Sequence, residues 1–172
     1  MVTRLLLASN SPRRRDLLAG LDIPMEVVHL KDIDETHPAH LEGGDIPLHI
    51  ARLKMHAYDM ELCTGEVLIT ADTIVWVDGQ ELGKPVDVAD ARRMLHLLSG
   101  RTHQVFTAVC LRSALDHCEF VCRTDVTFDK AGAYGIQEWI GYVGCSRLEG
   151  SYFNVMGLPV QKLYNHLHLL KV

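Results

Sequence analysis

The chain has 172 residues, of which 48% are hydrophobic and 23% charged, with a formal net charge of -5. That size and balance fit one globular domain with an apolar core and exclude a disordered chain. The acidic balance argues against a nucleic-acid partner. No apolar run approaches the roughly 18–20 residues of a membrane-spanning helix, so no membrane association is expected.

Thr3 to Ala8 is a short apolar run that predicts a buried strand. Its apolar part, Leu5 to Ala8, is too short for a secretory leader, and the basic cluster follows it instead of preceding it. A cytoplasmic location is therefore expected. Ser11-Pro12 opens a helix to about Leu21, with Ser11 as cap and proline in the first turn. Met25 to Val28 predicts a short strand, and Lys31 to Asp45 a polar loop. From Ile46 to Glu61, the apolar residues Ile46, Ile50, Leu53, Ala57 and Met60 share one helical face. Val67 to Val77 predicts a strand running into a hairpin turn at Asp78-Gly79.

Ala89 to Leu98 predicts a helix that stops at Ser99-Gly100. Thr102 to Arg112 and Glu119 to Phe128 predict a pair of strands, and Tyr142 to Leu148 another. Gly157-Leu158-Pro159 opens a last helix to about Leu169, with His166 and His168 on its surface. Helices interleave with strands, but some strands follow one another directly. A mixed α/β sheet is expected, not a regular doubly wound one. The cysteines number five, without a CxxC pair, and are read as reduced thiols. The histidines show no HExxH motif and no zinc-type spacing.

Several residues point to chemistry. Ser9 and Ser11 precede a helix whose first turn carries Arg13, Arg14 and Arg15. Cations there oppose the helix dipole, whereas a bound anion would use the free N–H groups, the hydroxyls and the arginine forks. A solvated basic patch would look the same in sequence. Asp72 follows the mostly apolar run Val67 to Ala71, where a carboxylate needs a partner, a metal or hydrogen bonds. Water activation or metal binding would account for it. Asp34 and Glu35 lie in the polar loop, where carboxylates usually face water. They matter only if the fold brings them near Asp72, since carboxylate oxygens and phosphates together make a Mg²⁺ environment. Lys54 and Lys84 suit the neutralisation of phosphate charge, or are ordinary surface lysines. Asp129 to Gln137 is glycine-rich, and Gln137 offers both a donor and an acceptor to a base edge.

In chain order, LLLASNSPRRRDLL, IDET, IARLKMHAY, ITADTIVWVDGQELGKP, LSGRTHQVFTAV, DKAGAYGIQ and GSYFNVMGLP resemble the Maf family of nucleoside triphosphate pyrophosphatases. No one of these motifs is specific, but the ordered set spans nearly the whole chain. The resemblance implies an elongated mixed β-sheet flanked by helices, with a cleft between two lobes, in a cytoplasmic homodimer. It implies that Ser9 and Arg13 bind the triphosphate or shape the base pocket. Glu35 and Asp72 would hold a divalent cation, Mg²⁺ or Mn²⁺, with Asp72 also taking the proton of the attacking water. Lys54 and Lys84 would contact phosphates. Family members that cleave dTTP and UTP carry Arg, Thr and Gln at three pocket positions, matched here by Arg13, Thr73 and Gln137. Relatives preferring 7-methyl-GTP differ there.

The family's association with septum formation keeps open a second reading, a regulatory nucleotide-binding protein. The intact set Glu35, Lys54, Asp72 and Lys84 argues instead for an enzyme. One departure stands out within the expected single domain, residues 1–172. Relatives place roughly 15–20 residues, enough for a helix of a few turns, where Phe128 here meets Asp129 directly. Either this chain carries a deletion between 128 and 129, or a segment is missing from the sequence as it stands. The intact flanking motifs favour the latter.

Overall fold

The structure, a computed structural model, describes residues 1–31, 33–129 and 144–172. Among these, seven strands form one mixed sheet: β1 (Arg4–Leu7), β2 (Met25–Val27), β3 (Glu66–Val77), β4 (Gln80–Leu82), β5 (Thr102–Arg112), β6 (His117–Phe128) and β7 (Cys145–Glu149). Their order is β2-β1-β3-β5-β6-β7, with β4 paired to the far end of β3. β1 runs parallel to both β2 and β3, and every other pairing is antiparallel. This is the mixed α/β sheet expected from the sequence.

Five helices accompany it among the described residues: α1 (Pro12–Ala19), α2 (Asp45–His56), α3 (Val88–Leu98), α4 (Tyr152–Val155) and α5 (Val160–Leu169). Side chains alternate along a strand, so the central strand β3 serves two cores at once. Val67, Ile69 and Ala71 face α1 and α5, where Leu18, Leu163 and Leu167 pack against them. Leu68 faces α2 and packs with Ala51 and Met55, while Ile74 meets Ile46 and Ile50 further along. Leu18 is fully buried, and its truncation to alanine would cost about 2–5 kcal/mol.

The turn after β3 follows from its residues. Asp78 and Gly79 both adopt positive φ, 50° and 76°, as a tight hairpin of matching twist requires. The chain then turns back as β4, with Val75 opposite Leu82.

Some boundaries differ from expectation. α1 closes at Ala19, two residues before Leu21, and Asp45 belongs to α2 and not to the preceding loop. α2 ends at His56 instead of Glu61. Met60, placed on its apolar face by periodicity, is 66% exposed. Tyr58 is buried in its place, and its carbonyl accepts from Arg112 Nη2 at 3.2 Å. The last strand starts at Cys145; Tyr142 and Val143 lie outside the described residues. His166 is half-buried, stacked on Phe120 at 4.3 Å, while His168 is exposed. The single turn α4 has no counterpart in the periodic reading, because four residues are too few to show a period. All five cysteines are free thiols, as expected. None of the helices among the described residues is long and apolar enough to cross a membrane.

Candidate active site

Asp72 lies in the middle of β3, on the face covered by α2. Lys54 projects from the last full turn of that helix and reaches it: Nζ donates to Asp72 Oδ1 at 2.8 Å. The same ammonium lies 3.2 Å from Glu35 Oε2. Three residues far apart in sequence thus share one charge centre. Lys54 and Asp72 side chains are 13% and 14% exposed, whereas Glu35 is 53% exposed. The cluster therefore has a dry floor and an open, acidic rim.

Burial pushes the Asp72 carboxyl above the usual aspartate range, against the opposing pull of Lys54 and Arg14. A carboxylate whose proton affinity is raised in this way is a better base than one in water. The loop carrying Glu35 is held in turn. Asp34 Oδ1 accepts from the Thr36 N–H at 2.9 Å, and His37 Nε2 contacts Glu81 Oε2 at 3.0 Å, tying the loop to β4.

The N-terminal turn of α1 forms a second feature. Ser11 caps the helix by accepting from the Arg14 N–H at 3.4 Å, and Ser9 Oγ accepts from the Ser11 N–H at 3.3 Å. A depression of about 180 Å³ opens here, lined by Ser9, Asn10, Ser11, Arg15 and His29 among others. The three arginines separate sharply. Arg13 and Arg15 are exposed, while Arg14 is 9% exposed. The Arg14 guanidinium turns inward and donates to Gly157 O at 2.8 Å, Ala71 O at 2.9 Å, Thr73 Oγ1 at 2.9 Å and Ser9 Oγ at 3.4 Å.

Thr73 follows Asp72 in the strand, so it projects from the opposite face. There it meets Arg14 and, at 2.9 Å, Thr107 Oγ1. Lys84 is exposed just beyond β4 and has no ion-pair partner among the described residues. Gln137 lies outside the described residues. The structure thus joins Glu35, Lys54 and Asp72 directly, and Ser9, Arg14 and Thr73 in a second group. Thr107 and Asn154, which complete that second group, were not singled out from the sequence. The one signal for them was a polar residue inside an apolar stretch, as in Val105-Phe106-Thr107-Ala108-Val109.

Among the described residues no cluster of three or more His, Cys, Asp or Glu side chains is assembled for a metal. Two carboxylates facing one cation nevertheless suit a hard divalent ion that takes its remaining oxygens from phosphates and water. The donor chemistry of Glu35 and Asp72 fits such an ion.

A mixed sheet with an acid–lysine centre on one face and a serine- and arginine-rich helix start nearby defines a class of phosphate-handling α/β proteins. The family assignment is narrower. Residues 4–129 and 117–170 match the family model described as Maf-like protein, and the chain belongs to that family. It is 48% identical over 185 aligned positions to a dTTP/UTP pyrophosphatase of Bacteroides thetaiotaomicron, covering 97% of this chain and 96% of the relative. Proteins of the same name from Phocaeicola vulgatus and Bacteroides fragilis are each 50% identical with the same coverage. These alignments are longer than the chain itself, so the relatives contain residues with no counterpart here. A HAM1 protein structure from Coxiella burnetii overlaps 78% of both chains with a TM-score of 0.46 and 17% identity.

Proposed function

We propose that the protein hydrolyses pyrimidine nucleoside triphosphates, dTTP and UTP first, to the monophosphate and pyrophosphate. The observation that carries this reading is the Lys54 ammonium held between Asp72 and Glu35. Binding alone does not call for a buried carboxylate of raised proton affinity. The family membership and the names of the relatives point the same way.

The chain's own residues suggest the steps. Ser9, Ser11 and Arg13 receive the triphosphate at the start of α1, where hydroxyls and a guanidinium fork suit phosphate oxygens. Asp72 takes a proton from water as that water attacks the α-phosphorus. The bond to the bridging oxygen breaks, and pyrophosphate departs. Lys54 stands against Asp72 and offsets the charge that develops on the phosphate oxygens, and Lys84 does the same for the leaving group. Glu35 and Asp72 would hold a divalent cation, Mg²⁺ or Mn²⁺, which would supply neutralisation of the phosphate charge. Arg13, Thr73 and Gln137 are the proposed readers of the pyrimidine base. The domain, residues 1–172, works in the cytoplasm as a homodimer.

The test is pyrophosphate release from dTTP, UTP, CTP, GTP and 7-methyl-GTP with Mg²⁺. Fast release from dTTP and UTP, absent in Asp72→Asn, is the expected result. Release from 7-methyl-GTP in preference to both would overturn the base assignment, and release from none would overturn the activity.

A further inference from the structure

Arg14 has five N–H groups, and protein acceptors take four of them. Those acceptors come from three separate parts of the chain. Ser9 belongs to the loop after β1, Ala71 and Thr73 to β3, and Gly157 to the turn before α5. Ala71 and Thr73 are the residues on either side of Asp72. The guanidinium therefore grips the strand at both neighbours of the acid, from the face opposite to Lys54.

The grip is anchored further in. Thr107 Oγ1 donates to Asn154 O at 3.0 Å and lies 2.9 Å from Thr73 Oγ1. A hydroxyl has one proton, and a carbonyl oxygen can only accept. Only one assignment places a proton in both contacts: Thr73 donates to Thr107, and Thr107 donates to Asn154 O. The Thr73 oxygen is then left with its lone pairs toward Arg14. Asn154 is itself fully buried, with Nδ2 donating to Val105 O at 3.0 Å and to Thr124 Oγ1 at 2.9 Å. Thr107 and Thr124 are also fully buried. The whole array runs across β3, β5 and β6 and ends at the backbone of α4.

We infer that Arg14, with Thr73, Thr107 and Asn154 behind it, is a brace that fixes the position of Asp72 and of the Ser9 loop. On this inference, which rests on the proposed hydrolysis, Arg14 and Thr107 are positioning residues. Arg14 serves the protein and not a phosphate, because it is buried and four of its five N–H groups are taken by protein acceptors. Among the three arginines that role falls to the exposed Arg13 and Arg15.

The experiment separates positioning from ligation. Turnover of dTTP and affinity for α,β-imido-dTTP, both with Mg²⁺, are measured for the wild type, Arg14→Lys, Thr107→Val and Thr107→Ser. Arg14→Lys keeps the charge but cannot span four acceptors. Its kcat should fall about 100-fold, the scale of a displacement of about 1 Å at the reacting group, while affinity changes less than about threefold. Thr107→Val, which no ligand touches, should lower kcat about tenfold at unchanged affinity, and Thr107→Ser should restore it. An Arg14→Lys variant with near-normal kcat, or one whose affinity falls as far as its kcat, would overturn the brace. So would a Thr107→Val variant with normal kcat. If Arg14→Lys does not fold, the Thr107 pair decides alone. A wild type without turnover would sink the proposed hydrolysis instead, a result distinct from any of these.

Discussion

The two faces of β3 at Asp72 handle positive charge in opposite ways. On the α2 face, the Lys54 ammonium meets two carboxylates, one of them half-exposed. On the other, the Arg14 guanidinium is served by two carbonyls and two hydroxyls, all neutral. The first arrangement can exchange its cation, because water and phosphate can replace what either carboxylate loses. The second exchanges less readily, because two of its acceptors, the Ala71 and Gly157 carbonyls, are buried away from water. One face is built to change during a reaction and the other to stay still.

The comparison is sharpest in activity. Asp72→Asn should lower turnover of dTTP by about 10²–10⁴-fold, as expected for loss of a general base, while leaving urea unfolding nearly unchanged. Equal losses of stability and turnover would show that Asp72 belongs to the rigid side after all. Arg14→Met should do the reverse first: four buried or half-buried acceptors lose their donor, at a cost of about 3 kcal/mol in urea unfolding. A variant as stable as the wild type would break the contrast.

Lys54→Met gives a smaller effect on the exchangeable face. With the ammonium gone, Glu35 and Asp72 face each other uncompensated, so Mn²⁺ should bind the nucleotide-free protein more tightly. Titration by electron paramagnetic resonance reads this directly, and weaker binding would mean that the two carboxylates do not share one ion.

The smallest effect concerns His103, farther along the brace face of β5. It is 4% exposed, its Nδ1 has no hydrogen-bond partner among the described residues, and its ring meets Phe128 edge to face at 5.0 Å. Burial holds its pKa below the ordinary value of 6.5. The native state then binds fewer protons than the unfolded chain in the window below 6.5, so stability is lost as pH falls through it. His103→Phe should flatten the pH dependence of thermal unfolding between about pH 6.5 and 5. An unchanged slope would assign the loss to other groups.

Much of the sheet was legible because its signals are local. β5 was read with its observed bounds, Thr102–Arg112, from an apolar run closed by polar residues. The turn at Asp78-Gly79 was legible because few residue pairs tolerate positive φ twice in succession. Periodicity overran α2, since the apolar spacing continues to Met60 although the backbone leaves the helix at Ala57 to place Tyr58. In the site, Asp72 was legible as a carboxylate in an apolar strand. Its meeting with Lys54 and Glu35 was not, since it depends on how α2 and the loop before it lie on β3. The arginines were the hardest case. Arg13, Arg14 and Arg15 are the same residue type in one helical turn, and only tertiary partners tell the buried one from its neighbours. Thr107 gave only a weak signal, a polar residue inside an apolar stretch, because a buried hydrogen-bonded hydroxyl resembles a surface one in sequence.

The contact between Arg14 and Gly157 spans 143 residues of chain. Closing a loop of that length is entropically costly, and contacts of such separation slow folding. During synthesis α1 is made before Gly157, and the guanidinium has no Gly157 carbonyl to hold until 143 further residues have been added. The brace is therefore completed only after the acid and the serines it steadies have been made. A chain cut short before that turn would carry the acid, the lysine and the serines, and still lack the part that holds them still.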